Sequence, residues 1–309
     1  MTGPVTDVAR VVTIGVFDGV HAGHRALIDA ARDEADELDV PLAVLTFDPH
    51  PMSVVRPELV PCRLASIDQR RDLLLAAGAD DVRVVTFDEA LSRLTPEEFV
   101  QQWLVGRLRA AAVVVGDNFR FGHRASGDLS TLRELGDRYG FTVTALDLAV
   151  SDDDVVWSST RIREMIRSGD VSGAAQGLGH PPRVEGVVVR GEQRGRELGY
   201  PTANLAVAPG ACVPADGVYA ARAVLAPGTA EQREVAAAVS VGANSTFGGT
   251  EPRIEAYLME AGDWDLYGRH LAIDFIQRLR GMVTFADVDE LLAAMATDVD
   301  EARRILAMP

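Results

Sequence analysis

The sequence contains no lysine: its 30 basic residues are all arginine, and they face 46 acidic residues. A Walker-A loop places a lysine on the nucleotide phosphates, and protein kinases use a strand lysine for the same purpose. Pyridoxal-phosphate enzymes and other Schiff-base enzymes need a lysine amine. The missing lysine excludes all three classes. If the protein handles phosphate, it must use arginine, histidine, Mg²⁺ or the N-terminal ends of helices.

Cysteine and long apolar runs are also scarce. Cys62 and Cys212 stand far apart in the chain, so no disulfide framework is implied, and each is interpreted as a small buried hydrophobic residue. The N-terminal residues lack the apolar stretch of a signal peptide. The longest window without charge, 198–215, holds three prolines and is no membrane helix. We therefore expect a cytoplasmic protein without a membrane partner.

Basic surface is scarce as well, since the net charge is −16. A nucleic-acid partner usually requires a basic face, so we expect none. A length of 309 residues suggests two domains. The composition leaves the oligomeric state open.

Short apolar runs alternate with helical patterns in the first half of the chain. This alternation is typical of parallel strands buried under helices, and it predicts a doubly wound α/β domain over residues 1–180. Helix starts are indicated by Ser66 with Gln69 and by Thr95 with Glu98. The predicted strands are Val11–Val16, Leu42–Phe47, Val82–Phe87, Ala112–Gly116 and Phe141–Leu146.

The pattern changes near residue 180, where glycine and proline cluster. Strand-like runs then follow without helices between them, which predicts an antiparallel barrel or sandwich over residues 181–309. A last helix is predicted after Thr284, with Asp287 in its third position. The predicted strands are Val184–Val189, Val218–Val224, Val235–Val241, Ile254–Met259 and Leu271–Ile276.

The segment Gly15–His24 joins the first strand to a helix through a glycine-rich turn. Backbone N–H groups at such a helix start bind anions, and the two imidazoles of His21 and His24 can donate to phosphate oxygens. Gly23 between them allows close backbone approach. Zinc is a weaker alternative, with Asp18, His21 and His24 as ligands, because no cysteine or H-E-x-x-H pattern supports it.

Three further segments follow strands, where ligands of doubly wound sheets bind. Residues 46–51 form a loop stiffened by two prolines, and residues 116–122 place aromatic side chains beside an arginine. Residues 158–163 put hydroxyl groups and arginines at a helix start, which suits an anion. Each of the three, taken alone, is also compatible with an ordinary loop or helix cap.

The second half has one dense motif, at residues 191–204. Its glycines permit a tight loop over phosphate. Thr202 and Asn204 stand two positions apart at a strand start, so both side chains project to one face. Oxygen ligands of this kind suit Mg²⁺, which keeps water molecules and shares phosphate oxygens. A plain turn followed by a strand is the alternative.

In this order, the motifs of the first half resemble the nucleotidyltransferase module of the bacterial bifunctional riboflavin kinase/FAD synthetases. That resemblance implies a Rossmann-like fold and a reaction in which ATP adenylylates FMN to give FAD and pyrophosphate. The matching motifs are Gly15-x-Phe17-Asp18-Gly19-x-His21-x-Gly23-His24, Phe47-x-Pro49-His50-Pro51, Gly116-x-Asn118-Phe119-x-Phe121-Gly122 and Ser158-Ser159-Thr160-x-x-Arg163.

The same resemblance implies roles for individual residues. His21 and His24 would stabilise the transition state and the departing pyrophosphate, and Asn118 would orient the substrates. The residues implied to hold ATP and its phosphates are Gly15, Asp18, Gly23, Ser159, Thr160 and Arg163. Those implied on the flavin side are Phe47, Pro49, His50 and Phe121.

The motif Gly195-Arg196-x-Leu198-Gly199-Tyr200-Pro201-Thr202-Ala203-Asn204 is similar to the riboflavin kinase signature of that family. The resemblance implies transfer of the ATP γ-phosphate to the riboflavin 5′-hydroxyl, with Gly195 and Arg196 on phosphate and Thr202 and Asn204 on Mg²⁺. A hydroxyl must lose its proton, so a base is needed, and the resemblance implies Glu255.

The chain departs from the family pattern at three places. Ser245 replaces a proline, 279–285 lacks a glutamate and a lysine before the last helix, and His180-Pro181-Pro182 replaces Arg-Pro-Tyr. None of these is a proposed catalytic position.

Three functions are weighed. The first is a bifunctional enzyme that uses ATP, Mg²⁺, riboflavin and FMN. The second is a nucleotidyltransferase for another phosphorylated acceptor, which the kinase-like second half argues against. The third is a non-catalytic flavin-binding protein. In such a protein we expect replacement of His21, His24, Thr202, Asn204 or Glu255, and all five are present.

Overall fold

A computed structural model describes residues 8–147, 156–191, 195, 198–243, 252–260 and 265–307. The chain folds as two compact units. The first comprises Met1–Pro61 and Ile67–Ser158, and the second comprises Cys62–Ser66 and Ser159–Pro309. No helix among the described ranges combines the length and apolarity needed to cross a membrane.

The first unit is built on a five-stranded parallel sheet in the order β3-β2-β1-β4-β5. Its strands are β1 (Arg10–Ile14), β2 (Leu42–Asp48), β3 (Asp81–Thr86), β4 (Ala110–Gly116) and β5 (Thr142–Leu146). Every residue of β1 is buried, as expected for a central strand of a doubly wound sheet.

Helices cover both faces of this sheet, because alternate strand residues point to opposite sides. Val11 and Val44 pack with Leu27, Ile28 and Leu74 on one face. On the other face, neighbouring strand residues pack with Phe99 and Leu132 among others. The helices are α1 (Ala22–Glu37), α2 (Met52–Val55), α3 (Ile67–Ala76), α4 (Glu89–Ser92), α5 (Pro96–Phe99), which runs on as a π-helix (Val100–Val105), and α6 (Leu129–Tyr139); short 3₁₀ turns lie at Pro57–Leu59 and His123–Ala125.

The predicted capping box at Thr95 is confirmed. Glu98 donates its backbone N–H to the Thr95 hydroxyl at 3.2 Å, and Thr95 donates its own N–H to the Glu98 carboxylate at 2.8 Å. These two bonds satisfy donors that the first turn of α5 leaves unpaired.

The second unit contains a closed antiparallel barrel in the order β10-β7-β6-β11-β8-β9. Alternate strand residues fill its interior, including Tyr219, Ile254 and Phe275, all fully buried. Closure leaves no open sheet edge. The strands are β6 (Arg183–Val189), β7 (Thr202–Val207), β8 (Gly217–Leu225), β9 (Arg233–Ala243), β10 (Pro252–Leu258) and β11 (His270–Arg280).

The described part of the second unit also contains the helices α7 (Ser159–Ser168), α8 (Val171–Leu178) and the terminal α9 (Val288–Ile305). Helix α9 packs its apolar face, with Val299 and Ala302, on alanines of β8 and β9. It starts later than predicted. The Asp287 carboxylate accepts the N–H of Glu290 at 2.8 Å and so caps the helix from outside instead of lying within its first turn.

The predicted fold class, a doubly wound α/β domain followed by a barrel and a terminal helix, is confirmed. The compact units divide at Ser158/Ser159 and place Cys62–Ser66 with the barrel. The predicted division of function at residues 180/181 stays a prediction.

Candidate active sites

The turn after β1 has an unusual backbone. Phe17, Gly19 and Val20 all take positive φ angles, of 51°, 81° and 43°. Non-glycine residues seldom adopt this region, and they do so mainly where the surroundings impose it. Val20 donates its N–H back to the Phe17 carbonyl at 3.2 Å. A tight turn therefore leads directly into α1.

His21 and His24 meet at the start of α1. Their rings stack with centroids 3.6 Å apart and planes inclined by 20°, and Phe17 contacts the His24 ring edge-on at 5.2 Å. His21 is buried and stands at the N-cap, but its side chain does not cap the helix. The first turn of α1 has no acidic residue. Two imidazoles thus lie together at the positive end of a helix, an arrangement that attracts an anion.

β1 pairs with β2 on one side and with β4 on the other. β2 and β3 extend the sheet to one side of β1, and β4 and β5 extend it to the other, so the strand order reverses between β1 and β4. Ligands of doubly wound sheets bind at this point, beyond the carboxyl ends of the strands. His21 and His24 follow β1, and the exposed Asn118 follows β4. The topology therefore brings these three predicted residues to the same edge of the sheet.

A buried arginine, which the sequence analysis did not single out, supports this turn. Arg70 on α3 lies 3.7 Å from the Asp18 carboxylate, and both side chains are only 2% exposed. It donates to the Phe47 carbonyl at 3.0 Å and to the Thr46 hydroxyl at 3.5 Å. Thr46 in turn donates to the carbonyl of Val16 at 2.9 Å. Arg70 thus links the ends of β1 and β2.

Asp18 is therefore paired with an arginine. Among the residues that the structure describes, no group of three histidine, cysteine or carboxylate side chains is arranged to hold a metal. The zinc alternative gains no support from this geometry.

We expect Arg70→Met to lower the free energy of unfolding by about 3–5 kcal/mol, because it leaves a buried carboxylate without its countercharge. Urea-induced unfolding of the full chain measures the change. Its neighbour Arg71 is exposed, so the matched control Arg71→Met should stay within about 0.5 kcal/mol of the parent. Equal unfolding midpoints for the two variants would contradict the supporting role of Arg70.

The residues predicted on the flavin side occupy different environments. Phe47 is half-buried and meets Phe87 edge-on at 5.6 Å. Pro49 follows a cis peptide bond. The ring Nδ1 of His50 accepts the N–H of Met52 at 3.1 Å, which fixes the loop. Phe121 is 7% exposed and packs in the core with Phe99 and Phe119.

Ser159, Thr160 and Arg163 begin α7, in the second compact unit. Thr160 is exposed and Ser159 half-buried. Arg163 is 7% exposed, and its Nε donates to the Cys62 carbonyl at 2.7 Å. These residues form a polar helix start, as predicted.

The two cysteines correct the sequence interpretation. They do not act as separate buried hydrophobic residues, because the thiols of Cys62 and Cys212 are hydrogen-bonded to each other. No disulfide joins them in the structure; Cys212 is buried and Cys62 is partly exposed.

The barrel unit has a cavity of about 260 Å³ beside α9. Thr202 and Glu255, two of the predicted kinase residues, both line it, and so does Gly195. Its wall is mostly apolar, as a site for a flat ring system requires. The apolar and aromatic lining comprises Leu198, Tyr200, Val218, Ala238, Tyr257, Met282, Val283, Phe285, Leu291, Met295 and Val299.

Strand pairing positions the polar groups of this cavity. Glu255 on β10 stands opposite Asn204 on β7, and Tyr257 stands opposite Thr202. The Glu255 carboxylate is also ion-paired with Arg253, two residues earlier on the same strand face. Asn204 packs closely on the loop, since a Cβ added to Gly191 would lie 2.4 Å from its amide nitrogen.

Gly195, in the predicted phosphate motif, lies close to Tyr200. A Cβ at Gly195 would lie 2.4 Å from the Tyr200 carbonyl, so only glycine fits there. Tyr200 donates its N–H to the Gly195 carbonyl at 2.7 Å. Arg196 lies outside the described residues, and so do 244–251, which include Ser245.

Comparison with known proteins decides the family. A protein-family model described as FAD synthetase matches residues 4–161, and one described as riboflavin kinase matches residues 178–306. The Bifunctional riboflavin kinase/FMN adenylyltransferase of Escherichia coli (strain K12) is 35% identical over 96% of this chain and 93% of its own. That of Listeria monocytogenes is 33% identical over 98% of this chain and 94% of its own. The chain belongs to this family.

A crystal structure described as a macrolide-efflux protein from Streptococcus pneumoniae shares the fold, with a TM-score of 0.86 and 31% identity. The match covers 96% of this chain and 95% of that one. Its description names efflux, whereas both family models and the curated relatives name flavin enzymes, so only the fold is carried over. The chain is an enzyme with a FAD synthetase domain and a riboflavin kinase domain.

The riboflavin kinase domain contains another ion pair that the sequence analysis did not identify, besides that of Arg70 with Asp18 in the first unit. Arg280 donates twice to the carboxylate of Asp298 on α9, at 2.9 and 2.7 Å, and lies over the Phe285 ring at 5.6 Å. All three residues line the cavity. The altered segment 279–285 therefore contributes to the cavity wall despite its departure from the family pattern. The only signal in the sequence was its position before the last helix.

Proposed function

We propose that the two domains work in sequence: the barrel phosphorylates riboflavin to FMN, and the sheet domain adenylylates FMN to FAD. The observation that carries this proposal is the convergence of Thr202, Gly195 and Glu255 on one apolar cavity of the barrel. It lies in a chain whose other unit presents stacked histidines at a helix N-terminus. A protein with only one of the two reactions would need only one of these two arrangements.

In the kinase reaction, Glu255 accepts the proton of the riboflavin 5′-hydroxyl as that oxygen attacks the γ-phosphorus of ATP. The bond from the γ-phosphorus to the bridging oxygen breaks, and ADP leaves. The apolar wall of the cavity receives the flavin ring, while Gly195, which lines the same cavity, belongs to the motif that we assign to phosphate. The alternation of β10 places Glu255 on the strand face that borders the cavity, and the Arg253 guanidinium is ion-paired with its carboxylate.

Thr202 and Asn204 fit a magnesium ion by the chemistry of their donors. Both offer neutral oxygen atoms from the same face of β7, and Mg²⁺ prefers oxygen and takes the rest of its shell from water and phosphate. When bound, the ion neutralises charge on the ATP phosphates.

In the adenylyl transfer, the FMN phosphate attacks the α-phosphorus of ATP, and pyrophosphate leaves. The attacking phosphate is already ionised, so positioning and charge stabilisation carry the reaction and no strong base is needed. His21 and His24 stabilise the developing charge and Asn118 orients the substrates. Gly15, Asp18, Gly23, Ser159, Thr160 and Arg163 hold ATP, while Phe47, Pro49, His50 and Phe121 serve the flavin side. The acidic net charge argues against a nucleic-acid partner, and we place the enzyme in the cytoplasm.

The test is incubation of the full chain with riboflavin and Mg-ATP, with flavins and nucleotides separated over time. FMN should rise first and FAD should follow, accompanied by ADP and pyrophosphate. FMN without FAD would contradict the adenylyltransferase half. Tight flavin binding without ATP turnover would favour a non-catalytic protein.

We expect Thr202→Val to raise the Mg²⁺ concentration needed for FMN formation, because a methyl group replaces one oxygen donor. FAD formation from added FMN should keep its Mg²⁺ dependence. Magnesium titrations of the two reactions check this. An unchanged kinase titration would remove Thr202 from the metal site.

A further inference from the structure

The backbone beside Cys62 pairs with the backbone beside Cys212. Arg63 and Ala211 form an isolated parallel β-bridge. Arg63 donates its N–H to the Gly210 carbonyl at 2.7 Å, and Cys212 donates its N–H to the Arg63 carbonyl at 2.8 Å. The Arg63 side chain adds a bond to the Pro209 carbonyl at 2.9 Å. Backbone pairing therefore brings the two cysteines together.

The two thiols differ in their environments. Cys212 is 5% exposed, whereas Cys62 is partly exposed. The hydrogen bond to Cys62, together with burial, raises the pKa of Cys212 above that of an ordinary thiol. Cys62 is the more accessible sulfur of the pair, so an oxidant from solution reaches it first.

Cys62 also contacts a residue that the proposed function uses. The Arg163 Nε donates to the Cys62 carbonyl at 2.7 Å, and Arg163 is 7% exposed. A covalent bond between the sulfurs draws them closer than their hydrogen-bond contact. A shift of the Cys62 backbone on closure would move this carbonyl, and the guanidinium of Arg163 would then follow it or lose the bond.

We propose that Cys62 and Cys212 form a reversible disulfide that changes the position of Arg163 and so weakens ATP binding in adenylyl transfer. The effect on activity rests on the proposed role of Arg163. The oxidant is a low-molecular-weight disulfide. The Cys62 thiolate attacks one of its sulfurs and releases a thiol. Cys212 then attacks the sulfur of Cys62 in the mixed disulfide, its proton passes to the departing sulfur, and the second thiol is released. The protein loses two electrons and two protons, and the oxidant gains both.

The test equilibrates the full-length protein with oxidised glutathione and follows it by intact mass, by alkylation of free thiols and by two activity assays. The expected product has lost two hydrogen atoms in mass, carries no glutathione and reacts with no alkylating agent. The KM for ATP in FAD formation should rise about tenfold, the scale of one charge-assisted hydrogen bond. FMN formation should not change, and dithiothreitol should restore the reduced enzyme.

Cys62→Ser and Cys212→Ser are the matched controls, since each keeps a polar side chain and cannot close the bond. Both should retain the reduced KM under oxidant, and Cys62→Ser should take up the least glutathione. A wild-type protein that keeps two alkylatable thiols, or gains glutathione on each, would overturn the disulfide. A closed disulfide with an unchanged KM would overturn the coupling to Arg163. An enzyme that makes no FAD even when reduced would refute the proposed function, while the mass measurement would still decide the thiol chemistry.

Discussion

Glu255→Gln strongly lowers FMN formation from riboflavin and leaves FAD formation from added FMN intact: this is the expected result for the catalytic base of the barrel. Glutamine has the shape of glutamate but accepts no proton from the 5′-hydroxyl. Loss of a general base lowers kcat by about 10²–10⁴-fold. Because Glu255 lines the cavity on a strand paired on both sides, the substitution should act on kcat more than on the KM for riboflavin.

Glu234→Gln is the control for this variant. Glu234 is an exposed carboxylate on β9 of the same barrel, and its neutralisation should leave both activities unchanged. If Glu255→Gln kept the parent kcat, another group would have to take the proton. If it lost both activities while remaining folded, the assignment of separate sites would be wrong.

The second large effect is expected at the stacked histidines. His21→Ala removes one of the two imidazoles at the start of α1 and should lower FAD formation by about 10²–10³-fold, as the loss of a positioned charge-stabilising donor does. FMN formation should continue at the parent rate. Single-turnover measurements with FMN and ATP separate this loss of rate from a loss of binding.

His123→Ala tests whether removal of any histidine from this domain has the same effect. His123 is exposed, and its ring Nδ1 lies 3.1 Å from the Ser92 carbonyl. Its loss should leave both activities unchanged. His21→Asn guards against misfolding, because it keeps a polar side chain at an N-cap where asparagine is favoured. Full FAD synthesis by folded His21→Asn and His21→Ala would remove His21 from the mechanism.

Much of the fold followed from local patterns. The buried runs and breakers predicted the parallel sheet, and the loss of helical periodicity after residue 180 predicted the barrel. The histidines after β1 were found because their motif is contiguous, and Thr95 because a capping box spans four residues. Signals of this kind depend only on residues that are close together in the chain, and they can therefore be found in the sequence alone.

The residues that were missed depend on distant partners. Arg70 contacts Asp18 and Phe47 only because α3 packs beside the ends of β1 and β2. Cys62 meets Cys212 through a bridge between segments far apart in the chain. Arg280 and Asp298 join a strand to a helix. No spacing rule in a single sequence reports such encounters, since tertiary packing creates them.

The assignment of Cys62–Ser66 to the barrel unit has a practical consequence for dissecting the enzyme. The chain passes between the two units three times, so one cut cannot yield two complete halves. A fragment starting at Ser159 would contain Cys212 and Arg163 but lack the segment that binds both. Separate expression of the kinase half would therefore need residues 62–66 restored, as a fused strand or an added peptide. Only then could the stability and activity of the fragment be compared with those of the intact protein.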